Sequence, residues 1–351
     1  MKIVAAAVVV AIVAAAILTH DQCDPTFGNK PIKEEQSQAM ARIGAFTVGW
    51  RTDTGRLREH NEDSLMLPQH TPQVVERGYL FAVADGMGGY GGGRDASKTA
   101  LAALYQHFYA IQPTTTSSEE VFSQAIQYAN LEVRRLSLDP HHDPRMGTTL
   151  VAALFLDTSV LVAHIGDSRA YLVQQGVIRQ ITQDHSRLQE QVNAGLLTPE
   201  QASRYEGKNI ITRAVGKEQP APVDYTPVYD LQRGDILILC SDGLSNLVSD
   251  QELAAVVSQM HPEHAVEYFV QTANERGGID NITVEVIRIE QVPFRGEGSD
   301  DFIQSAHRPD APIAAMPAAP GSRWLLITLL FVLILIGVVL IAVWQLGLRS
   351  F

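Results

Sequence analysis

The chain has 351 residues, 46% of them hydrophobic, and a formal net charge of −12. This acidic balance, with no basic stripe to offset it locally, excludes a nucleic-acid-binding surface and suits a protein that holds cations through carboxylates. Two cysteines, Cys23 and Cys240, offer no disulfide framework, and the length suits one large domain with appendages.

The chain opens on an apolar run from Ile3 to Leu18, rich in Ala and Val. A signal peptide, a short membrane helix and a start codon placed too far upstream all accommodate such a run. Thr19-His20-Asp21-Gln22-Cys23 lacks the small residues of a cleavage site, so residues 1–20 read as an anchor or signal-anchor. From about 43 to 290 the pattern becomes that of a folded domain. Apolar and alternating runs predict strands over 46–53, 79–84, 149–156, 160–165, 169–173, 177–181, 223–229, 235–241 and 282–289. Helical spacing predicts helices over 94–110, 119–138, 187–194, 199–203, 250–259 and 262–275. Thr198-Pro199-Glu200-Gln201 and Ser249-Asp250-Gln251-Glu252 are helix-start signatures.

The strands arrive in bursts and the two long helices come together, which is not a βαβα rhythm. The expected fold is α+β: a four-layer α-β-β-α sandwich of antiparallel sheets flanked by helical hairpins, plus terminal apolar helices. Residues 291–322, rich in Pro, Ala, Gly, Ser and Asp, read as a flexible linker. Trp324 to Leu348 contains no charged residue. As a helix, Trp324 to Trp344 spans about 30 Å, which fits a hydrocarbon core with a tryptophan at each interface. A transmembrane helix is therefore expected over 324–348. Lys30, Lys33, Arg308 and Arg323 flank the middle of the chain, against Lys2 and Arg349 outside it. The positive-inside rule then places the domain in the cytoplasm.

The chemistry is concentrated in carboxylates at strand ends. The run 79–84 ends on Asp85-Gly86, the run 235–241 ends on Asp242-Gly243, and Asp280-Asn281 precedes the run 282–289. Asp-Gly after a strand is usually a hairpin turn, but neither pair is followed by a second strand. Gly86-Met87-Gly88-Gly89-Tyr90-Gly91 also matches a dinucleotide-binding fingerprint. The strand and ribose-binding acid that should follow are missing, so that reading is rejected. Buried carboxylates without accompanying Lys or Arg point to hard divalent cations held by oxygen. Arg58-Glu59-His60-Asn61-Glu62-Asp63 adds two acids and an arginine suited to a phosphate.

Taken in order, Arg58-x-x-Asn61-Glu62-Asp63, Asp85-Gly86-Met87-Gly88-Gly89, Met146-Gly147-Thr148-Thr149, His164-Ile165-Gly166-Asp167-Ser168-Arg169, Asp184-His185-Ser186, Ser241-Asp242-Gly243-Leu244 and Gly278-x-Asp280-Asn281 form a specific set. The set resembles the metal-dependent Ser/Thr protein phosphatase family, type 2C, in its bacterial branch. The resemblance covers about 43–290 and implies the sandwich already drawn. It implies hydrolysis of phosphoserine and phosphothreonine in proteins, the substrates of a Ser/Thr kinase, at a centre of two Mn²⁺ or Mg²⁺ ions. Asp85 would bridge the ions and Asp242 and Asp280 would complete the first. The Gly86 carbonyl would serve the second, with Glu62 or Asp63 directly or through water, and Arg58 would hold the substrate phosphate. A third ion, found in many bacterial members, would bind Asp143, with Asp139 as the alternative.

Two departures stand out. Met87 replaces a histidine that some relatives use to protonate the leaving oxygen, which leaves water or His60 for that task. Ser203-Arg204-Tyr205-Glu206-Gly207-Lys208 stands where relatives often show His-Pro, in the flap region 186–208. Asp167 reads as a turn residue, and His164 and His185 as packing or turn residues. The competing functions are a catalytically silent phosphoprotein-binding module and a phosphatase of small phosphorylated metabolites.

Overall fold

Strand Tyr79–Ala84 is buried at all six positions. An antiparallel strand can be so only when both faces of its sheet are covered. Here Tyr79, Phe81 and Val83 face a second sheet, and Leu80, Ala82 and Ala84 face helices. The computed structural model describes residues 39–88, 91–110, 116–198, 201–202 and 210–294.

In chain order the described elements are β1 (Ala39–Ile43), β2 (Phe46–Asp53), β3 (Ser64–Met66), α1 (Pro72–Arg77), β4 (Tyr79–Ala84), β5 (Gly86–Met87), α2 (Gly92–Ala110), α3 (Ser118–Ser137), β6 (Gly147–Thr148) and β7 (Leu150–Leu156). Then come β8 (Ser159–Ile165), β9 (Arg169–Gln174), β10 (Val177–Gln180), α4 (Arg187–Asn193), β11 (Asp224–Tyr225), β12 (Tyr229–Asp230), β13 (Ile236–Cys240), α5 (Asp242–Ser245), α6 (Asp250–Gln259), α7 (Pro262–Glu275) and β14 (Ile282–Ile289). One sheet has the order β1-β2-β14-β13-β9-β10, and the other β11-β8-β7-β4-β3 with β12 also on β8. All the pairings are antiparallel.

Three apolar layers separate four layers of secondary structure. The α2–α3 hairpin covers one sheet through Ala96, Ala100, Leu104, Val121, Phe122 and Ile126. The other sheet is covered by α6 and α7 through Leu253, Val257, Val266 and Phe269. Helix α7 lies directly on β2: a Cβ at Gly49 would stand 2.3 Å from the Pro262 carbonyl oxygen, so only glycine fits. The sandwich read from the sequence is therefore the observed one. The terminal apolar segment 1–20, the span 324–348 and the linker beyond 294 lie outside the described residues. Among the described residues no helix is long and apolar enough to cross a membrane.

The differences from expectation have local causes. The run 223–229 forms two short strands on β8 rather than one. Pro227 has no N–H to give the ladder. The Thr226 hydroxyl instead accepts from Val162 N (3.2 Å) and donates to Pro227 O (2.9 Å). At the domain's edges, β1 begins at Ala39, and Phe294 is buried against Phe46 and Phe155. The domain thus extends past both expected boundaries, 43 and 290.

Candidate metal centre

Antiparallel pairing gathers the carboxylates. Asp63 enters β3, which lies on β4 with Ser64 opposite Ala84, so Asp63 arrives beside Asp85. Asp280 leads into β14, which lies on β13 with Val284 opposite Cys240, so Asp280 arrives beside Asp242. The turn between β8 and β9 passes from one sheet to the other and carries Asp167 to the same end.

The electrostatics record this crowding. Burial raises the Asp85 carboxyl well above its usual range, and Asp63, Asp242, Asp167 and Asp280 raise it further. Asp63 is pushed up to about 7, first by burial and then by Asp242 and Asp280, against help from the Thr283 and Ser241 hydroxyls. Burial and Asp280 push Asp242 up to about 6. Burial with Asp242 and Asp184 pushes Asp167 up to about 8. Asp63 Oδ2 accepts from Ser241 Oγ at 2.8 Å and Asp242 Oδ2 from Asn246 Nδ2 at 3.1 Å. Their other oxygens, Asp63 Oδ1 and Asp242 Oδ1, are buried without a hydrogen-bond partner. Unpartnered buried carboxylate oxygens in a repelling cluster are a donor set for a hard divalent cation.

Backbone geometry holds the cluster in place. Asp85 N donates to Thr149 Oγ1 (2.9 Å), and Asp85 O accepts from Thr149 N (2.8 Å) and Thr148 Oγ1 (2.9 Å). This is the work of the Met-Gly-Thr-Thr stretch. Gly86 is wedged against α2: a Cβ there would stand 2.1 Å from Gly93 O and 2.5 Å from Glu62 O. The Glu62 carboxylate accepts from the Gly93 and Arg94 amides in the first turn of α2, while burial raises its pKa. Buried Asn281 is a hub. Its Oδ1 accepts from Glu62 N at 2.8 Å, and its Nδ2 donates to Thr54 O and His60 O, both at 2.9 Å.

Arg58 reaches the centre through Asp280. Its Nη2 donates to Asp280 Oδ2 at 2.8 Å, with the side chain 51% exposed. The expectation that no arginine accompanies these acids is thus corrected for Asp280: the loop 54–58 is closed onto 278–281, a contact that spacing alone does not reveal. Asp143 is engaged within its own loop. Its Oδ1 accepts from Arg145 N (2.8 Å) and Nε (3.2 Å), and its Oδ2 from Nη2 (3.2 Å). Asp139 accepts from the His141 amide and ring. His60 is exposed.

The remaining motifs are structural in their contacts. Arg169 donates to Asp184 through Nε (2.9 Å) and Nη2 (2.7 Å) and to the Tyr171 hydroxyl. The ligand atoms of His164, His185 and Asp224 lie within 4.8 Å of one another, a group of a kind that can hold a metal. Their hydrogen bonds favour another role. His185 Nδ1 accepts from Gly166 N (3.1 Å), which leaves the ring proton on Nε2, facing Asp224 Oδ2 at 3.0 Å. Arg213 takes the other Asp224 oxygen at 2.9 Å. The two imidazoles stack with centroids 4.8 Å apart, and burial lowers both pKa values, so they pack as neutral rings. Asp167 is the residue whose place the sequence reading missed. Its neighbours Gly166 and Ser168 announce a turn, and only the crossing between sheets shows that the turn ends among the other acids.

A sandwich of two antiparallel sheets with acids gathered at one end defines a class of protein built to hold hard divalent cations. The model of the family described as protein phosphatase 2C matches residues 52–282. The serine/threonine phosphatase stp of Listeria monocytogenes is 39% identical over 241 residues, 68% of this chain and 94% of that protein. The crystal structure of the Mycobacterium tuberculosis serine/threonine phosphatase PstP/Ppp superposes with a TM-score of 0.63 at 33% identity, covering 70% of this chain and 99% of that one. A structure of the PstP catalytic domain in complex with two manganese ions gives a TM-score of 0.59 at 32% identity, covering 70% of this chain and 99% of that one. The chain belongs to the protein phosphatase 2C family.

Proposed function

We propose that Asp85, Asp242, Asp280, Gly86, Glu62 and Asp63 hold two divalent ions, Mn²⁺ or Mg²⁺, beside Arg58, and that phosphoserine and phosphothreonine of protein substrates are hydrolysed there. The observation that carries this reading is the cluster of carboxylates at one end of the inter-sheet layer, two of them with unpartnered buried oxygens. Family membership supports the activity.

Asp85 would take the bridging position, as the family resemblance implies, and its buried carboxyl is acted on by Asp63, Asp242, Asp167 and Asp280 together. Asp242 and Asp280 complete one oxygen set. The Gly86 carbonyl completes the other with Glu62 or Asp63. When bound, the ions lower the pKa of a water molecule and offset charge on the phosphoryl oxygens. Ser241 and Asn246 orient Asp63 and Asp242, and Thr148 and Thr149 fix the Asp85 backbone. Arg58 presents a planar guanidinium whose fork matches a phosphate, with donors to spare beyond Asp280. Met87 has no proton to give, which leaves water or His60 to protonate the leaving oxygen. Phosphate release from a phosphothreonine peptide, with Mn²⁺ and with excess chelator, tests the reading. Release only with metal is expected, and undiminished turnover in chelator sinks it.

The uncharged run Trp324 to Leu348 supports attachment to a membrane, and Lys30, Lys33, Arg308 and Arg323 support a cytoplasmic catalytic domain that reverses Ser/Thr kinase action. Protease added to intact cells should leave that domain uncut; cleavage before permeabilisation overturns the placement.

A further inference from the structure

Two large exposed apolar residues lie next in sequence to the members of the Arg58–Asp280 pair. Leu57 is 70% exposed and Ile279 is 48% exposed. Each is the immediate neighbour of one partner in the Arg58–Asp280 ion pair, whose Nη2 and Oδ2 atoms are 2.8 Å apart. Exposed apolar residues scattered singly carry no message. These two sit on loops that are locked together. Gly278 O accepts from both Arg56 N (2.7 Å) and Leu57 N (3.3 Å). Gly55, at φ +77°, passes so close to the second loop that a Cβ would stand 2.1 Å from Asp280 O. The platform under Leu57 and Ile279 is therefore rigid, and contact with it demands little further ordering.

We propose that Leu57 and Ile279 form an apolar rim that receives an aliphatic or aromatic side chain of the substrate, within two positions of the phosphorylated residue. The proposal rests on Arg58 holding the phosphate, as proposed above. Neighbouring Cα atoms are about 3.8 Å apart, and an extended peptide advances about 3.3 Å per residue. A rim next to Arg58 therefore lies within one or two substrate residues of the phosphate. The rim makes the site a reader of local sequence as well as of phosphate.

The test compares phosphothreonine peptides carrying Leu or Ser at each of the two positions on either side. Blocked phosphothreonine without flanking residues serves as the control. In the wild-type chain with Mn²⁺, kcat/KM should be about tenfold higher for the best leucine peptide than for its serine counterpart, a gap of about 1.4 kcal/mol. Leu57→Ser with Ile279→Ser should erase that gap while hydrolysis of blocked phosphothreonine and calorimetric Mn²⁺ affinity stay unchanged. Should the double variant lose Mn²⁺ affinity, Leu57→Ala and Ile279→Ala, which only remove side-chain atoms, decide by the same ratio. Equal cleavage of all peptides by the wild type, or a preference that survives in the variants, overturns the rim. A wild type that hydrolyses none of these substrates, blocked phosphothreonine included, overturns the phosphatase reading instead.

Discussion

Strand β4 enters the inter-sheet layer at Tyr79 and hands the chain to Asp85 at its other end, and the surroundings of those ends are opposite in kind. Around the first, Phe46 packs against Phe155 and Phe294 with centroids 4.9 Å apart and against Tyr79 at 5.1 Å. Around the second stand Asp63, Asp85, Asp167, Asp242 and Asp280. The aromatic end gains from every atom it removes from water. At the acid end, desolvation and like charge oppose folding in the absence of a cation. One layer thus supplies the stability that lets its far end hold an unfavourable constellation in place, as functional sites commonly require.

Changes at the two ends should therefore separate activity from stability. The largest effect is expected for Asp85→Asn. Activity should fall by about 10⁴-fold, or about 5.5 kcal/mol, while the metal-free protein unfolds at a higher temperature than wild type. Steady-state kinetics and thermal unfolding read the two halves, and retained turnover would remove Asp85 from the bridging position. At the aromatic end, Phe46→Ala should cost about 3–5 kcal/mol of stability by emptying a packed site. Residual kcat at saturating Mn²⁺ should be near wild type below the melting transition; a stability loss under about 1 kcal/mol would show that the aromatic end relaxes freely.

Between the ends lies a residue that belongs to neither. Glu285 is fully buried, and neither of its carboxylate oxygens has a partner at hydrogen-bonding geometry. Directly across the ladder, Trp50 Nε1 is also buried and unpartnered. Burial pushes the Glu285 carboxyl well above its usual range, with only the Met66 amide acting against it. Its folded pKa is raised, so its contribution favours folding at pH below the unfolded value of 4.5 and is lost as pH rises through the folded value. Glu285→Leu should therefore stabilise the protein by about 1–3 kcal/mol at pH 8, with the gain shrinking towards pH 4.5. Urea unfolding across that range checks the sign, and a gain that grows as pH falls would contradict it.

The smallest expected effect concerns the edge of the acid end. Arg58→Ala frees Asp280 from a half-exposed ion pair, so Mn²⁺ should bind slightly more tightly, by about 0.2–1 kcal/mol. Inhibition by free phosphate should weaken in the same variant. Calorimetry that shows weaker Mn²⁺ binding would make Arg58 a support of the metal centre rather than a competitor for Asp280.

The strand pattern and the positions of Asp85, Asp242 and Asp280 were legible in the sequence because each rests on local rules. Apolar runs of strand length are visible as runs, and a carboxylate at the end of a run is visible as an interruption. The capping box at Ser249 and Glu252 was legible for the same reason, since both of its hydrogen bonds close within four residues. The tertiary structure alone decided which ends meet. It turned Asp167 from a turn residue into a neighbour of Asp85, made Asn281 the link between the loops at Thr54, His60 and Glu62, and set Arg58 on Asp280. It also placed Glu285 between the sheets, on a strand whose sequence alone does not say which face is buried. These contacts join residues up to 227 positions apart. Nothing in local periodicity encodes such pairings; they follow from the register of antiparallel strands and the stacking of two sheets, which are properties of the whole core.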